Sequence, residues 1–221
     1  LIVSVVVPVA VLVYRSFVRL WNPVVNQLEL LTFSNYVALW NPGKGYEMYY
    51  YMNPEIVWRS ISNSLGIAIM GATIGILLTT LVSYMIHKGR IYGRTTLEYI
   101  GMLPIAVPAV IMALGYLWAW IRFPIGIYGT IWILMVAYIS RYLPFGIRSV
   151  SPVVIQISNE LEESSYVVGA GWIRAFRKIM LPLVKHGILA GWLLLCTTFM
   201  KECDISILLY TSGNEVISVV V

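Results

Sequence analysis

Two long stretches without a charged residue limit what this chain can fold into. Ser60 to Ile86 and Tyr99 to Ile121 are each longer than the roughly 20 apolar residues that a helix needs to cross the hydrocarbon of a bilayer. The composition agrees, because 59% of the residues are hydrophobic and only 11% are charged. Both stretches are therefore predicted to be transmembrane helices.

Other apolar segments raise the predicted number of spans to about six. Phe123 to Ser140 becomes long enough if its helix continues past Arg141 towards Pro144. Gly187 to Met200 is interrupted by "KECD" and then resumes, which predicts a helix that holds ionisable groups at depth. The fold class is predicted to be all-α, a polytopic bundle of membrane helices.

The ends of the chain are apolar as well. Leu1 to Tyr14 and Val216 to Val221 are read as pieces of two further spans, and no initiator Met precedes Leu1. We therefore expect residues 1–221 to be a single membrane domain truncated at both ends. A signal peptide is the alternative for Leu1 to Tyr14, although the segment lacks a basic start and a small-residue cleavage site. Between Arg15 and Arg59, prolines, glycines and tyrosines indicate a structured loop outside the membrane.

The basic residues predict the orientation. Eight Lys and Arg residues fall in the loops 87–96 and 148–187, whereas five fall in the loops of the opposite side. Basic residues are enriched on the cytoplasmic side, so the loops 87–96 and 148–187 are predicted to be cytoplasmic. Because the bases flank membrane segments rather than forming one basic face, the net charge of +5 does not indicate a nucleic-acid partner.

Several kinds of site are disfavoured by the residues at hand. Cys196 and Cys203 are too far apart along a helix for a disulfide and are interpreted as small buried residues. His87 and His186 lie at predicted helix ends without a catalytic partner nearby in sequence. The chain contains no G-x-x-x-x-G-K-[ST] sequence, so it is not expected to bind ATP through a P-loop.

The most polar internal segment is "ELEESSYVVGAGWIRAFRKIMLP", from Glu160 to Pro182. Asn159 and Glu162 are spaced like a helix cap, and Gly169 is predicted to end the first short helix. A second helix follows, with Trp172, Phe176 and Ile179 on one side and bases on another, and ends before Pro182. This pattern predicts either a two-helix cytoplasmic knob or a solvated loop on the headgroups.

The same segment resembles the EAA loop of ABC importer permeases. That pattern is E, two small residues, three spaces, G, nine spaces, I, one space and L-P, and the chain matches it at Glu163, Ser164, Ser165, Gly169, Ile179, Leu181 and Pro182. The two serines replace alanines but are equally small. The resemblance implies a type I (MetI-like) permease whose loop 155–182 contains the coupling helix. The residues that it implies contact or serve the ATPase are Glu162, Glu163, Ser164, Ser165, Gly169, Gly171, Ile179, Leu181 and Pro182.

Beyond the loop, the chain is similar to the iron(III) branch of that family. The similar stretches are "SISNSLGIA", "RYLPFGIRSV" and "LLYTSGNEVISV". The resemblance implies a permease of the bacterial inner membrane that works with a second membrane domain, fused or separate, a periplasmic binding protein and two ATPase subunits. It implies no cofactor in this chain, since ATP and Mg²⁺ belong to the ATPase. Iron(III) is the implied substrate, with thiamine, polyamine and phosphonate as alternatives.

Charged residues and prolines in the spans are the remaining candidates. Arg141, Lys201, Glu202 and Asp204 should face protein or water, with Lys201 pairing Asp204 and Glu202 pairing Arg141. Pro104 and Pro108 should kink their helix beside the transport pathway. The spans show no cluster of Tyr, His and carboxylates at metal-binding spacing, so no metal site is predicted. An ion-coupled secondary transporter is the alternative from a different class.

Overall fold

The computed structural model of the chain describes residues 2–18, 31–40, 54–89, 92–123 and 125–220. The chain divides into two compact units, with the boundary between Trp58 and Arg59. Regular secondary structure in the described residues is helical, apart from one isolated antiparallel bridge between Val18 and Leu31. The predicted all-α class is therefore confirmed for the part that the structure describes.

The first unit contains α1 (Ile2–Ser16) and α2 (Ser34–Trp40). Asn35 at the start of α2 donates from its Nδ2 to the Ser16 and Val18 carbonyls, at 2.9 and 3.2 Å. These bonds satisfy carbonyl groups at and just after the C-terminal end of α1, where no helical partner exists. The predicted loop from Arg15 to Arg59 is only partly covered, because the residues 19–30 and 41–53 lie outside the described residues.

The longest apolar helix runs through the first predicted span. It comprises α3 (Pro54–Gly66), a π-helical turn (Ile67–Gly71) and α4 (Ala72–His87). Glu55–His87 forms 33 consecutive helical residues and is long and apolar enough to cross a membrane. The predicted span from Ser60 to Ile86 is confirmed as one helix.

The second predicted span is a helix in two parts. α5 (Arg94–Met102) runs into a 3-10 turn (Leu103–Ala106), and α6 (Ala109–Arg122) follows. The two parts are bent by 105°, with Val107 extended and Pro108 at the start of α6. The prediction of a single kinked helix from Tyr99 to Ile121 is corrected to a broken one, because a proline both lacks the N–H of the helical ladder and clashes with the preceding turn.

The third predicted span is shifted along the chain. α7 (Ile131–Gln156) begins eight residues after Phe123 and continues through Arg141 and Pro144 to Gln156. Gly126 and Gly129 adopt positive φ angles of 39° and 78° in the preceding loop, which glycine tolerates better than other residues. The apolar run from Phe123 to Ser140 therefore spans a loop and half of a helix.

The remaining helices form the loop and the last part of the bundle. They are α8 (Asn159–Val167), α9 (Trp172–Ala175), a π-helical turn (Phe176–Met180), α10 (Leu181–Leu183), α11 (Lys185–Met200), α12 (Ser206–Leu209) and α13 (Ile217–Val220). The prediction that the α11 helix carries "KECD" in its interior is wrong, because α11 ends at Met200 and Lys201 is its C-cap.

The core of the second unit lies where α4, α7 and α11 pack together. Ile76, Tyr138 and Leu195 are almost fully buried there. Two pairs of glycines four residues apart, Gly71 with Gly75 and Gly187 with Gly191, lie at these contacts, because a Cβ added at each would meet a side chain of a neighbouring helix. The nearest side-chain atoms would be those of Phe199 at 3.1 Å, Leu195 at 3.4 Å, Val153 at 2.8 Å and Ile76 at 2.5 Å.

The described residues contain between one and three helical segments that could cross a membrane. Glu55–His87 qualifies alone, and the described residues contain up to three spans if the bent pairs Arg94–Ala106 with Ala109–Arg122 and Trp172–Leu183 with Lys185–Met200 each count as one. About six spans and the type I architecture remain predictions.

Candidate functional site

The loop that matches the EAA pattern is a compact pair of helices. Ser158 is the N-cap of α8, and its Oγ accepts a hydrogen bond from the Glu160 N–H at 3.2 Å. The prediction that Asn159 caps the helix is corrected by one residue. Asn159 instead accepts a hydrogen bond from the Lys88 ammonium at 2.5 Å, which ties α8 to the residue after α4. Glu160 and Glu162 lie in the first turn, where the helix dipole favours acids.

Gly169 ends α8 in the way that its position in the pattern predicts. Its φ is +84°, and the Gly169 N–H donates to the Tyr166 carbonyl at 2.9 Å. The Ala170 N–H donates to the Ser165 carbonyl at 3.0 Å, which completes a Schellman motif after the cap residue Val168. A Cβ at Gly169 would meet nothing within 4 Å, so only the backbone conformation selects glycine here.

The two serines of the pattern keep their hydroxyl groups on their own helix. Ser164 Oγ donates to the Leu161 carbonyl at 3.0 Å, and Ser165 Oγ donates to the Glu162 carbonyl at 2.7 Å. Because these hydroxyls need no outside partner, the serines can serve as small packing residues. Ser164 is exposed and Ser165 is half-buried.

The second half of the loop is one helical stretch from Trp172 to Leu183 that changes type twice. Pro182 lies inside this stretch. The prediction that the helix ends before Pro182 is therefore wrong. The π-helical turn from Phe176 to Met180 directly precedes the proline segment, and local departures of this kind accommodate a missing backbone donor. Ile179 and Leu181 are half-buried, and Gly171 begins the stretch with extended backbone angles.

A groove of about 830 Å³ lies beside the turn between the two helices. Its lining comprises Gly169, Gly171, Trp172, Ile173, Arg174, Arg177 and Lys178. The three basic side chains are exposed. The groove is therefore a positively charged surface next to the turn at Gly169.

Arg141 has different partners from the one predicted. Its Nη1 donates to the carbonyls of Pro104 and Val107 at the break between α5 and α6. The Pro104 carbonyl has no α-helical donor four residues later, because that residue is Pro108. Arg141 thus closes the backbone of the broken helix, and the predicted pair with Glu202 is not formed.

Glu202 closes the end of α11 in a similar way. The residue is 6% exposed, and its carboxylate accepts from the Tyr142 hydroxyl and from the Ile205 N–H, the latter at 3.1 Å. Its carbonyl accepts from Ser206 Oγ at 2.7 Å and from Ser218 Oγ at 2.5 Å. Each of these bonds fixes the turn after α11, since a buried polar group is stable only when it is bonded.

Lys201 and Asp204 are both exposed, on either side of Glu202. The predicted ion pair between them required one continuous helix, and the helix ends before either residue. Among the residues that the structure describes, these two side chains form no ion pair with each other.

The contacts of two tyrosines with the turn at Glu202 were not predicted from the sequence. Tyr138 and Tyr142 are one turn apart on α7, and the Tyr138 hydroxyl is hydrogen-bonded to Ser206 Oγ. The spacing along α7 was visible, but their meeting with Glu202 depends on how α7 packs on α11. Hydrogen bonds from the Tyr142 hydroxyl and the Ile205 N–H occupy the two oxygens of the Glu202 carboxylate.

The other end of the bundle has its own polar clamp. Arg59 Nε and Nη2 donate to the two carboxylate oxygens of Glu215 at 3.0 and 3.1 Å. Asn63 Nδ2 donates to the Glu215 carbonyl at 2.9 Å, and Asn214 Nδ2 donates to the Thr130 carbonyl at 3.0 Å. The turn 211–215, part of a stretch similar to the iron(III) branch, thus connects the start of the long helix to the start of α7.

Comparison with known proteins identifies transport permeases as relatives of the chain. No protein-family model matches the chain. A ferric transport system permease protein of Actinobacillus pleuropneumoniae is 28% identical over 144 residues, which are 65% of this chain and 20% of that protein. A putative 2-aminoethylphosphonate transport system permease protein of Salmonella paratyphi A is 24% identical over 212 residues, 93% of this chain and 72% of that protein. A spermidine/putrescine transport system permease protein of Escherichia coli is 25% identical over 166 residues, 74% of this chain and 62% of that protein.

The chain is homologous to ABC importer permeases. The predicted resemblance to this class of permease is thereby confirmed. The chain spans only about a fifth of the length of the ferric transport relative from Actinobacillus pleuropneumoniae.

Proposed function

We propose that this chain is a membrane subunit of an ATP-driven importer and that the loop 155–182 transmits the work of a separate ATPase. The observation that carries the proposal is the EAA loop, which is folded as two short helices around a left-handed Gly169. A loop with this sequence pattern and a fixed turn presents the same rigid surface to a partner each time, which a solvated loop would not do.

The docking face in this proposal comprises the exposed side of α8 and the adjoining basic groove. Leu161, Tyr166 and Val167 are exposed apolar side chains on α8, at 45%, 42% and 88% of their full areas. Exposed apolar side chains beside exposed bases are suited to a protein partner that supplies an apolar cleft and acidic side chains. That partner is the ATPase, since no P-loop sequence occurs in the chain itself.

Other partners follow from the same proposal. The pathway lies between this chain and a second membrane domain, and a periplasmic binding protein delivers the substrate. The proposed location is the bacterial inner membrane, and membrane lipid covers the exposed apolar residues of helix Glu55–His87.

Docking is tested by co-purification of the permease with the ATPase subunit of the proposed importer. Replacing Arg174, Arg177 and Lys178 together by Gln should reduce the ATPase that is retained and weaken the dependence of retention on salt. Arg122→Gln is the matched control, because Arg122 is an exposed base at the C-terminal end of α6 and does not line the groove. Equal retention by the triple variant and the control would contradict the basic groove as a docking surface. Absence of any ATPase with the wild-type chain would contradict the proposed function itself.

Iron(III) is the substrate that we propose. It is supported by the ferric transport relative, which is more similar in identity than the phosphonate and polyamine relatives described above. The periplasmic binding protein of the proposed importer should therefore bind iron(III), and calorimetry of that protein with iron(III), 2-aminoethylphosphonate and spermidine separates the three substrates. Binding of either of the other two ligands alone would replace iron(III) and leave the importer class unchanged.

One structural observation favours a second candidate, an ion-coupled secondary transporter. The segments 94–122 and 172–200 are bent by 105° and 72°, and discontinuous helices are typical of such transporters. Reconstitution in proteoliposomes distinguishes the two, because uptake driven by a Na⁺ or proton gradient without ATP would favour this alternative.

A further inference from the structure

The turn after α11 lies near the middle of the membrane segments. Gly71 is the central residue of the 33-residue helix Glu55–His87, and a Cβ on Gly71 would lie 3.1 Å from the ring of Phe199. Phe199 precedes Lys201 by two residues. The Phe199 ring also packs on Tyr142, with ring centroids 5.9 Å apart, and Tyr142 lies near the centre of α7. Two long helices therefore place the turn that begins at Lys201 at mid-depth.

The backbone of this turn leaves the α-helix. α11 ends at Met200, and α12 begins at Ser206. Irregular backbone at membrane depth is stable only where protein covers it or where it lines a water-filled cavity, because lipid forms no hydrogen bonds with it. Protein covers one side of the turn, where the buried Glu202 carboxylate accepts from the Tyr142 hydroxyl and the Ile205 N–H. These bonds hold the turn in a defined conformation.

Lys201 and Asp204 lie on either side of this anchored carboxylate, and both are exposed. Neither side chain forms an ion pair or a hydrogen bond with a residue that the structure describes. A charged side chain in the middle of a bilayer is costly when it faces lipid. The Asp204 side chain is too short to reach the headgroups from mid-depth. Both residues therefore have to face water or a partner rather than lipid.

A second interruption of a helix lies beside this turn. Arg141, the neighbour of Tyr142 on α7, donates to the Pro104 and Val107 carbonyls at the break between α5 and α6. α12, which follows the turn, packs against both α6 and α7. Adjacent residues of α7 thus hold two stretches of irregular backbone at one depth. This arrangement is suited to the wall of a water-filled passage.

We propose that Asp204 and Lys201 form a site for cationic substrates at the middle of the transport pathway. Asp204 attracts the cation, and Lys201 in the same turn offsets part of that attraction. A transport site has to bind strongly enough to admit an ion and weakly enough to release it. A lone carboxylate at low dielectric would hold a trivalent ion too tightly. The inference rests on the proposed function, and it names the class of substrate and the residues that contact it.

The test uses proteoliposomes that contain the permease, the second membrane domain and the ATPase. ATP-driven uptake is measured with binding protein loaded with iron(III), or with spermidine if calorimetry selects that cation. Asp204→Asn leaves the charge of Lys201 unbalanced, so uptake should fall at least about tenfold, the lower end of the effect of local charge on ion concentration. Asp204→Glu keeps the charge and should retain most of the uptake. Glu98→Gln is the matched control, since Glu98 is an exposed acid on α5.

A double variant separates charge balance from a general loss of stability. Lys201→Gln removes the offset and should lower the maximal rate of uptake, because release of the cation becomes slower. Lys201→Gln combined with Asp204→Asn removes both charges and should import faster than Asp204→Asn alone. A structural defect would instead make the two losses accumulate. Lys185→Gln is the matched control, since Lys185 is an exposed base at the other end of α11.

Accessibility to water is a second measurement, which does not depend on transport. In a complex from which Cys196 and Cys203 have been removed, Lys201→Cys and Asp204→Cys should each react with a cationic, water-soluble thiosulfonate. Lys201→Cys should react more slowly with an anionic reagent of the same kind, because Asp204 is still present. Protection of both cysteines in nucleotide-free and ATP-bound complexes would overturn the site.

Each other outcome has a defined meaning. If ATP drives no uptake by the wild-type complex, the proposed function fails. If the wild-type complex imports and Asp204→Asn behaves like Glu98→Gln, only the site is overturned. The site is also overturned if the double variant imports more slowly than Asp204→Asn alone. Selection of 2-aminoethylphosphonate by the binding protein would overturn the cationic class, because the phosphonate group is anionic.

Discussion

Gly169 is the single residue whose conformation is most restrictive in the loop. Its φ of +84° costs an ordinary L-residue roughly 1–2 kcal/mol, whereas Asn tolerates this region better. Because an added side chain would meet open space, the cost is purely one of backbone conformation. Gly169→Val should therefore distort the turn and allow the complex to hydrolyse ATP with little import into proteoliposomes. Gly169→Asn should import close to normally, and normal import by the valine variant would contradict the role of the turn.

Glu215 gives the clamp at the other end of the bundle a pH dependence. Burial alone would raise the pKa of its carboxyl, but hydrogen bonds from the backbone at Gly213 and Glu215 and from Arg59 outweigh it and lower the pKa. A lowered pKa means that the stabilisation is complete above the unfolded value and is lost as the pH falls through the folded value.

We expect Glu215→Gln to cost about 1 kcal/mol near neutral pH, because the pair with Arg59 is partly exposed. The difference in unfolding temperature between wild type and variant, measured in detergent, should shrink on acidification below the ordinary range of glutamate. A difference that stays constant with pH would show that the carboxylate charge contributes nothing.

Among the helices, the break between α5 and α6 depends most on a distant side chain. Arg141→Met would remove the donor to the Pro104 and Val107 carbonyls and leave acceptors unsatisfied, at a cost of about 1–3 kcal/mol. Arg141→Lys should recover part of this, since an ammonium retains donors but loses the planar fork. Thermal unfolding of the purified chain measures both, with Arg122→Met as the exposed control. Equal stability of Arg141→Met and Arg122→Met would contradict the role of Arg141 in closing the break.

Elements that depend on local rules were predictable from sequence. The helix through Ser60 to Ile86 needed only length and the absence of charge, and the stop at Gly169 needed only a residue that adopts positive φ. The cap was misplaced by one residue because Ser158 and Asn159 are both good caps, and Lys88 engages the second of them.

Elements that depend on tertiary partners were not predictable in the same way. The prolines indicated a bend in the helix. Its angle of 105° could not be predicted, because Arg141 on another helix donates a hydrogen bond to the Pro104 carbonyl at the break. The end of α11 was missed because the hydrophobic run resumes after "KECD", while the bonds of Glu202 to Tyr142 and Ser218 that fix the turn are long-range. The packing of Tyr84 on Trp172 and Phe176 was not predicted for the same reason, since these rings are 88 and 92 residues away in sequence.

For the molecule as a whole, the position of the pathway follows from how the bundle is filled. Ile76, Tyr138 and Leu195 occupy the centre between α4, α7 and α11 and are at most 2% exposed. A bundle packed at this density has no room for a hydrated ion along its own axis. In the proposed importer, the substrate would therefore pass along the outside of this chain, at its interface with a second membrane domain.

The broken segment is where we expect that interface. Ile111, Leu114 and Trp118 on α6 are 59%, 42% and 68% exposed, whereas Ala113 is fully buried. In a complex from which Cys196 and Cys203 have been removed, single cysteines from Met102 to Trp118 should react with a water-soluble maleimide on one face of the helix. The labelled set should change between nucleotide-free and ATP-bound complexes, because alternating access exposes the pathway to opposite sides in turn. Ala113→Cys should stay unlabelled in both states. Protection in both states of the whole segment, including the exposed Ile111, Leu114 and Trp118, would mean that this face of α6 does not line an aqueous pathway, and would move the pathway to another face of the chain.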